Sequence, residues 1–143
     1  MKFKAKQFKH WLDDLARATV KARDGHTCQW CKVKVSGYNC QWSHIRSRKY
    51  NNTRWQMSNA VTLCGRCHRR WHDEPLAGAE WLYTSPPKCV YDYEHVEGTW
   101  HQDDFEMVEK YLLFMAEKYG VKQEHFSQAR FGNRFVKKME GNK

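Results

Sequence analysis

Cys64-Gly65-Arg66-Cys67-His68-Arg69-Arg70-Trp71-His72 packs a CxxC pair and two histidines four residues apart into nine consecutive positions. A second CxxC, Cys28-Gln29-Trp30-Cys31, stands upstream of it with 32 residues in between. Two such pairs suit one tetrahedral zinc ion with four thiolate ligands, each sulfur about 2.3 Å from the metal. A disulfide framework would need an oxidising compartment. The opening Met1-Lys2-Phe3-Lys4-Ala5-Lys6 has no apolar stretch behind its lysines that would direct the chain to one. Cys40 and Cys89, the remaining cysteines, read as small core hydrophobes. On a single helix His68 and His72 share a face, where two imidazoles can hold one divalent cation.

Outward from the knuckles, hydrophobic spacing predicts a mixed α+β chain. Phe8, Trp11, Leu12, Leu15, Ala16 and Val20 recur at three- and four-residue steps, which predicts a helix over 6–23 that Gly25 ends. Lys32 to Tyr38 alternates and turns at a glycine, the pattern of a short strand and hairpin. Further strands are expected at Cys40 to Ile45 and Ala60 to Leu63. A helix then carries Cys67 through Trp71 until Pro75 stops it, and Leu76 to Trp81 extends the helical region. Ser85-Pro86-Pro87 is the clearest break. It divides an expected unit at 1–84 from an acidic segment and helical extension at 85–143. In that extension Phe105, Val108, Leu112 and Met115 form one stripe of a helix over 103–119. The stretch from Gly132 to Lys143 reads as frayed.

Charge is distributed as unevenly as cysteine. Of 143 residues, 25 are Lys or Arg and 16 Asp or Glu, a net +9. The 48 residues from Gly25 to His72 hold nine basic side chains and no carboxylate, whereas Asp73 to Gly120 holds three basic and eleven acidic ones. Ordinary solvated surfaces mix signs, so a polyanion is expected against the basic zone. Arg46, Arg48, Lys49, Arg54, Arg66, Arg69 and Arg70 interleave there with Tyr50, Trp55 and Trp71, a plausible clamp on a phosphate backbone. Arg48 and Arg54 are the first choices for phosphate contact; Trp55 and Trp71 read as core rather than as stacking platforms. No apolar run approaches the roughly 18–20 residues of a bilayer span. A cytoplasmic protein without a membrane partner is expected. The acidic segment offers a surface to a protein partner or a second copy, or a cover over the basic cleft.

His44, Asn59, His68 and His72 are spaced by 15, 9 and 4 residues. That spacing resembles the motif of the HNH nucleases, which have the ββα-metal fold, and two CxxC pairs brace the motif in one HNH subgroup. More closely, the run Cys40-Gln41-Trp42-Ser43-His44-Ile45-Arg46-Ser47-Arg48, with Thr53-Arg54-Trp55, Asn59 to Cys64 and Cys67-His68, resembles bacteriophage recombination proteins of the NinG/Rap type. The resemblance covers roughly residues 12–81.

It implies a small zinc-braced ββα-metal core with an N-terminal helix and a C-terminal helical extension. It also implies a metal-dependent endonuclease that cuts double-stranded or branched DNA in recombination or processing, in the bacterial host's cytoplasm if phage-encoded. Cys28, Cys31, Cys64 and Cys67 would hold structural Zn²⁺, and His68 and His72 a catalytic Mg²⁺, Mn²⁺ or Ni²⁺. His44 would be the general base, and Asn59 would orient the loop or His44 by hydrogen bonds. HNH enzymes generally carry Asp or His just before the base as a further ligand; here that residue is Ser43. Three arrangements remain open: Ser43 coordinates directly or through water, Asp73 or Glu74 reaches in, or DNA phosphate completes a weak site, which would favour Mn²⁺ or Ni²⁺. The alternative is a non-catalytic, zinc-containing nucleic-acid-binding module with a decayed centre.

Overall fold

The structure is a computed structural model that describes residues 3–47, 49–87, 89 and 104–141, with Asn51 and Asn52 in backbone only. It is a mixed α+β chain with one two-stranded sheet among the described residues. Helix α1 (Ala5–Arg23) buries Trp11, Leu12, Leu15, Ala16 and Val20, the spaced apolar set read from the sequence. It ends at Gly25, whose φ of 61° is in the left-handed region that glycine enters without strain.

Strand β1 (Gln41–His44) pairs antiparallel with β2 (Ala60–Leu63), placing Gln41 opposite Leu63, Ser43 opposite Val61 and His44 opposite Ala60. A short helix α2 (Asn51–Arg54) lies in the connection. Every residue of β2 is buried, in keeping with its apolar and β-branched make-up. The chain passes straight from β2 into α3 (Gly65–Asp73) and then α4 (Pro75–Thr84). Pro75 ends the one helix and starts the other, since its ring suits a first helical turn but not an interior. A Cβ on Gly78 would stand 2.5 Å from Trp71 Cε3, so α4 packs onto α3 at a point with no room for a side chain.

Two hydrophobic clusters follow. The larger joins α1 to α5 (Phe105–Lys118) and α6 (Ala129–Gly141), with Trp55, Met57 and Ala60 reaching in from the sheet side. The two helices beyond the Ser85-Pro86-Pro87 break thus share a core with α1. The smaller gathers Cys28, Val35, Cys40, Val61, Leu63, Cys64, Cys67, Trp81 and Cys89, so Cys40 and Cys89 are buried as expected. The contact between α1 and the sheet also has a buried polar part. Arg23 and Asp24 form an ion pair at 2.9 Å with side chains 1% and 0% exposed. Arg23 also donates to the carbonyls of Met57 and Ala60, both at 2.6 Å, and Asp24 accepts from the Thr62 N–H at 2.8 Å.

Two expectations are corrected. Residues 32–38 form no strand: a single bridge pairs Thr27 with Lys34. Their backbone bonds are spent wrapping the first CxxC, with Cys28 N–H donating to Val33 O at 2.8 Å and Lys32 N–H to Cys28 O at 2.9 Å. The stretch from Gly132 is helical as far as Gly141 because Phe131 and Phe135 anchor α6 in the larger core; residues 142 and 143 lie outside the described set. The α5 stripe holds, with Val108, Leu112 and Met115 all fully buried.

Because Asp24 neutralises a buried guanidinium, Asp24→Ala should lower unfolding free energy by about 3–5 kcal/mol, read from urea denaturation of the zinc-replete protein. A loss below 1 kcal/mol would mean that the pair does not carry the α1–sheet contact.

Candidate metal and nucleic-acid site

Cys28, Cys31, Cys64 and Cys67 converge, their sulfurs all within 4.8 Å of one another, with Cys31 Sγ and Cys64 Sγ at 3.8 Å. Four sulfurs about 2.3 Å from one zinc ion stand about 3.8 Å apart along the tetrahedron's edges, so the donor set and spacing suit Zn²⁺. Cys64 is also the N-cap of α3, where its sulfur accepts the Cys67 N–H at 3.3 Å. Burial pushes the Cys31 and Cys67 thiols up. Burial pushes Cys28 up as well, but backbone N–H groups of Cys31, Cys64 and Trp30 outweigh it and bring the thiol down to about 7. Cys28 would therefore release its proton at little cost near neutral pH on binding a metal.

One turn further along α3, His68 and His72 lie side by side. Their ring centroids are 4.9 Å apart, and Nε2 of one is 3.2 Å from Nε2 of the other. Burial, and then His72 beside it, lower the pKa of His68 from 6.5, so its ring is neutral at pH 7. Its Nδ1 is hydrogen-bonded to Gln41 Oε1 on β1. Two nitrogens about 2.1 Å from one ion, at angles of 90–109°, are about 3.0–3.4 Å apart, and the observed spacing falls within that bite.

Ser43 is buried on the β1 face that alternation gives it in common with Gln41. Among the described residues no hydrogen bond links it to either imidazole, and no carboxylate joins the pair: the four cysteines are the only group of three or more metal-type donors. Glu74 is instead paired with Arg70 at 3.3 Å.

His44 falls on the opposite pleat, beside Trp42, with ring centroids 4.2 Å apart. A 2.9 Å hydrogen bond joins its Nε2 to the Arg54 carbonyl. A carbonyl only accepts, so Nε2 carries a proton, and Nδ1 is the nitrogen that can act as a base. Asn59 holds the loop that supplies this carbonyl. Its amide donates to Arg46 O at 3.0 Å and Thr53 O at 3.1 Å, and its oxygen accepts the Arg46 N–H at 2.8 Å. The residues read from the sequence are thus gathered in two groups, His68 with His72 and His44 with the loop clamped by Asn59.

The basic residues divide by what they touch. Arg46 and Lys49 are exposed around the Tyr50 ring, at 4.3 and 5.1 Å from its centroid, and Arg69 is exposed on α3. Arg70 lies over Trp30 at 4.5 Å, and Trp30 stacks on Trp81 at 5.0 Å. The Arg54 guanidinium is engaged by Asp13 of α1, at 2.9 Å through Nε and 2.5 Å through Nη2, and the same carboxylate takes the Trp55 indole N–H at 2.8 Å. Arg54 therefore serves the α1 contact. Trp55 is core as expected, whereas Trp71 is half-buried. Arg48 lies outside the described residues, as do residues 90–103 of the acidic segment.

Sequence reasoning missed Gln41 and Arg17. Gln41 was findable as the residue two before Ser43, which a strand turns to the same side. Arg17, over the Trp42 ring at 5.4 Å, carried no signal. No protein-family model, curated protein or solved structure matches this chain significantly.

Metal analysis of purified protein should return about one tightly held zinc per chain. Stripping it should disturb the fluorescence of the Trp30–Trp81 stack beside Cys31. A content near zero, with the fold intact, removes the four-thiolate centre.

Proposed function

We propose that this chain is a divalent-metal-dependent DNA endonuclease of the HNH kind, with β1, β2 and α3 as its ββα-metal core, acting in DNA recombination or processing. The observation that carries the reading is the His68–His72 pair, two imidazole nitrogens 3.2 Å apart on the helix that directly follows a β-pair bearing His44. His68 and His72 would hold the ion through Nε2. A divalent ion there would bind a phosphate oxygen and stabilise the charge that builds on the phosphorus and the leaving 3′ oxygen.

The chain's own residues do the rest. His44, with Nε2–H on the Arg54 carbonyl, takes the water's proton on Nδ1, a role worth roughly 10²–10⁴-fold. The water oxygen bonds to phosphorus, the bond to the 3′ oxygen breaks, and that oxygen collects a proton from solvent. Asn59 keeps the 46–54 loop, and with it the carbonyl that orients His44, in register. Arg46, Lys49 and Arg69 are among the exposed cations of the basic zone and would contact the DNA backbone. The reading requires one phosphate to reach both His44 and the pair on α3 across the end of β1. The exposed carboxylates Asp73, Glu74, Glu80, Glu106 and Glu117 would supply a surface for a protein partner or a second copy.

Ser43 favours a second reading, a zinc-containing nucleic-acid-binding module without catalysis, because no third protein donor joins the pair among the described residues. Supercoiled-plasmid nicking with Mg²⁺, Mn²⁺ and Ni²⁺ decides between them. Wild type should nick at least ~10²-fold faster than His44→Ala, and His68→Ala should lose the metal dependence. Equal rates with every metal leave only the binding module. In either reading DNA affinity should drop at least ~10-fold between about 50 and 200 mM salt, and salt-indifferent binding contradicts a phosphate interface.

A further inference from the structure

We infer that Gln41 is the positioning residue of the histidine pair: it holds His68 as the Nδ1–H tautomer and leaves Nε2 with its lone pair turned to His72. The inference deepens the metal reading of that pair and rests on it for its consequence.

The Gln41 amide is oriented from its far end. Its Nε2–H donates to the Tyr38 carbonyl at 3.1 Å, so the atom left for His68 is the oxygen. An amide oxygen only accepts, and the ring nitrogen that faces it must therefore carry the hydrogen. A neutral imidazole has a single N–H, which makes Nε2 the bare nitrogen, 3.2 Å from Nε2 of His72. Turning the amide over would set its oxygen against the Tyr38 carbonyl and lose that bond, so the Tyr38 carbonyl is what selects the orientation.

The surroundings keep the amide in place. Gly65, the first residue of α3, donates its N–H to Asn39 Oδ1 at 2.9 Å, and a Cβ there would come within 3.3 Å of Gln41 Nε2. Gln41 also begins β1, with Leu63 opposite it. The strand therefore supports the α3 pair from two residues before Ser43, with a hydrogen bond to the ring nitrogen that does not face the partner. A carbonyl oxygen on the non-ligating nitrogen fixes ring orientation and raises ligand basicity, and its loss typically costs 10–100-fold in metal affinity. Gln41 so supplies orientation on a strand whose residue 43 offers only a hydroxyl.

Long-range ¹H–¹⁵N correlation spectra of the zinc-replete protein, with no second metal added, report the tautomer. Wild-type His68 should show a protonated Nδ1 and a bare Nε2, and Gln41→Leu a mixture of the two forms. In Ni²⁺ titrations Gln41→Leu should bind about 10–100-fold more weakly. Gln41→Glu, whose carboxylate accepts the same bond, should recover the affinity. One zinc per chain in each variant certifies the fold. A protonated Nε2 in wild type, or a wild-type tautomer in Gln41→Leu, overturns the assignment. A wild type that keeps the Nδ1–H form and takes up no Ni²⁺ overturns the metal reading and leaves the tautomer assignment standing.

Discussion

Four sulfurs within 4.8 Å of one another are the constraint from which the rest of this small core takes its position. They join two points with 32 residues between them in the chain and close the loop that contains β1, α2 and the turn into β2. Cys64 has two tasks, as a sulfur of the cluster and as the cap of α3. Whatever fixes the cluster therefore fixes the first turn of α3, and His68 is one residue beyond Cys67. The smaller hydrophobic cluster is poor in large aliphatic side chains, with Leu63 and two valines among its buried members. A cluster that small would gain much of its stability from a metal bound at the four sulfurs.

The second dependence is electrostatic. From Gly25 to His72 the chain has no carboxylate of its own, and α1 and its C-cap residue supply those it needs. Asp13 takes Arg54 and the Trp55 indole, and Asp24 takes Arg23 and the Thr62 amide. A charge in a buried setting must be paired, since removing its partner leaves the full desolvation cost behind. The basic zone is thereby sorted. Arg54 is neutralised against α1, while Arg46, Lys49 and Arg69 keep their charge at the surface, where a polyanion can meet it.

The helices α1 and α5 and the strands β1 and β2 were legible because apolar periodicity is local and their burial follows it. The cysteine cluster was legible because CxxC spacing encodes the ligand geometry. The stretch from Lys32 to Tyr38 misled for a physical reason: its alternation is real, but Val33 is 48% exposed and the backbone is consumed in wrapping Cys28. The helix at the C-terminal end was hidden because Phe131 and Phe135 gain stability only from a core formed with α1, more than a hundred residues away. Within the site, the pairing of His68 with His72 was readable from an interval of four. The use of Arg54 by Asp13 was not, because a guanidinium's partner depends on a fold that brings residue 13 to residue 54.

What the two dependences produce together is a pair of imidazoles on α3, turned toward each other and backed by an amide from β1. The most direct measurement of that arrangement is anomalous diffraction from crystals of the zinc-replete protein soaked in Mn²⁺. A zinc peak at the four sulfurs and a manganese peak between Nε2 of His68 and Nε2 of His72 are the predicted result. A zinc peak alone, with the two rings hydrogen-bonded to each other and no manganese at saturating concentration, would contradict it.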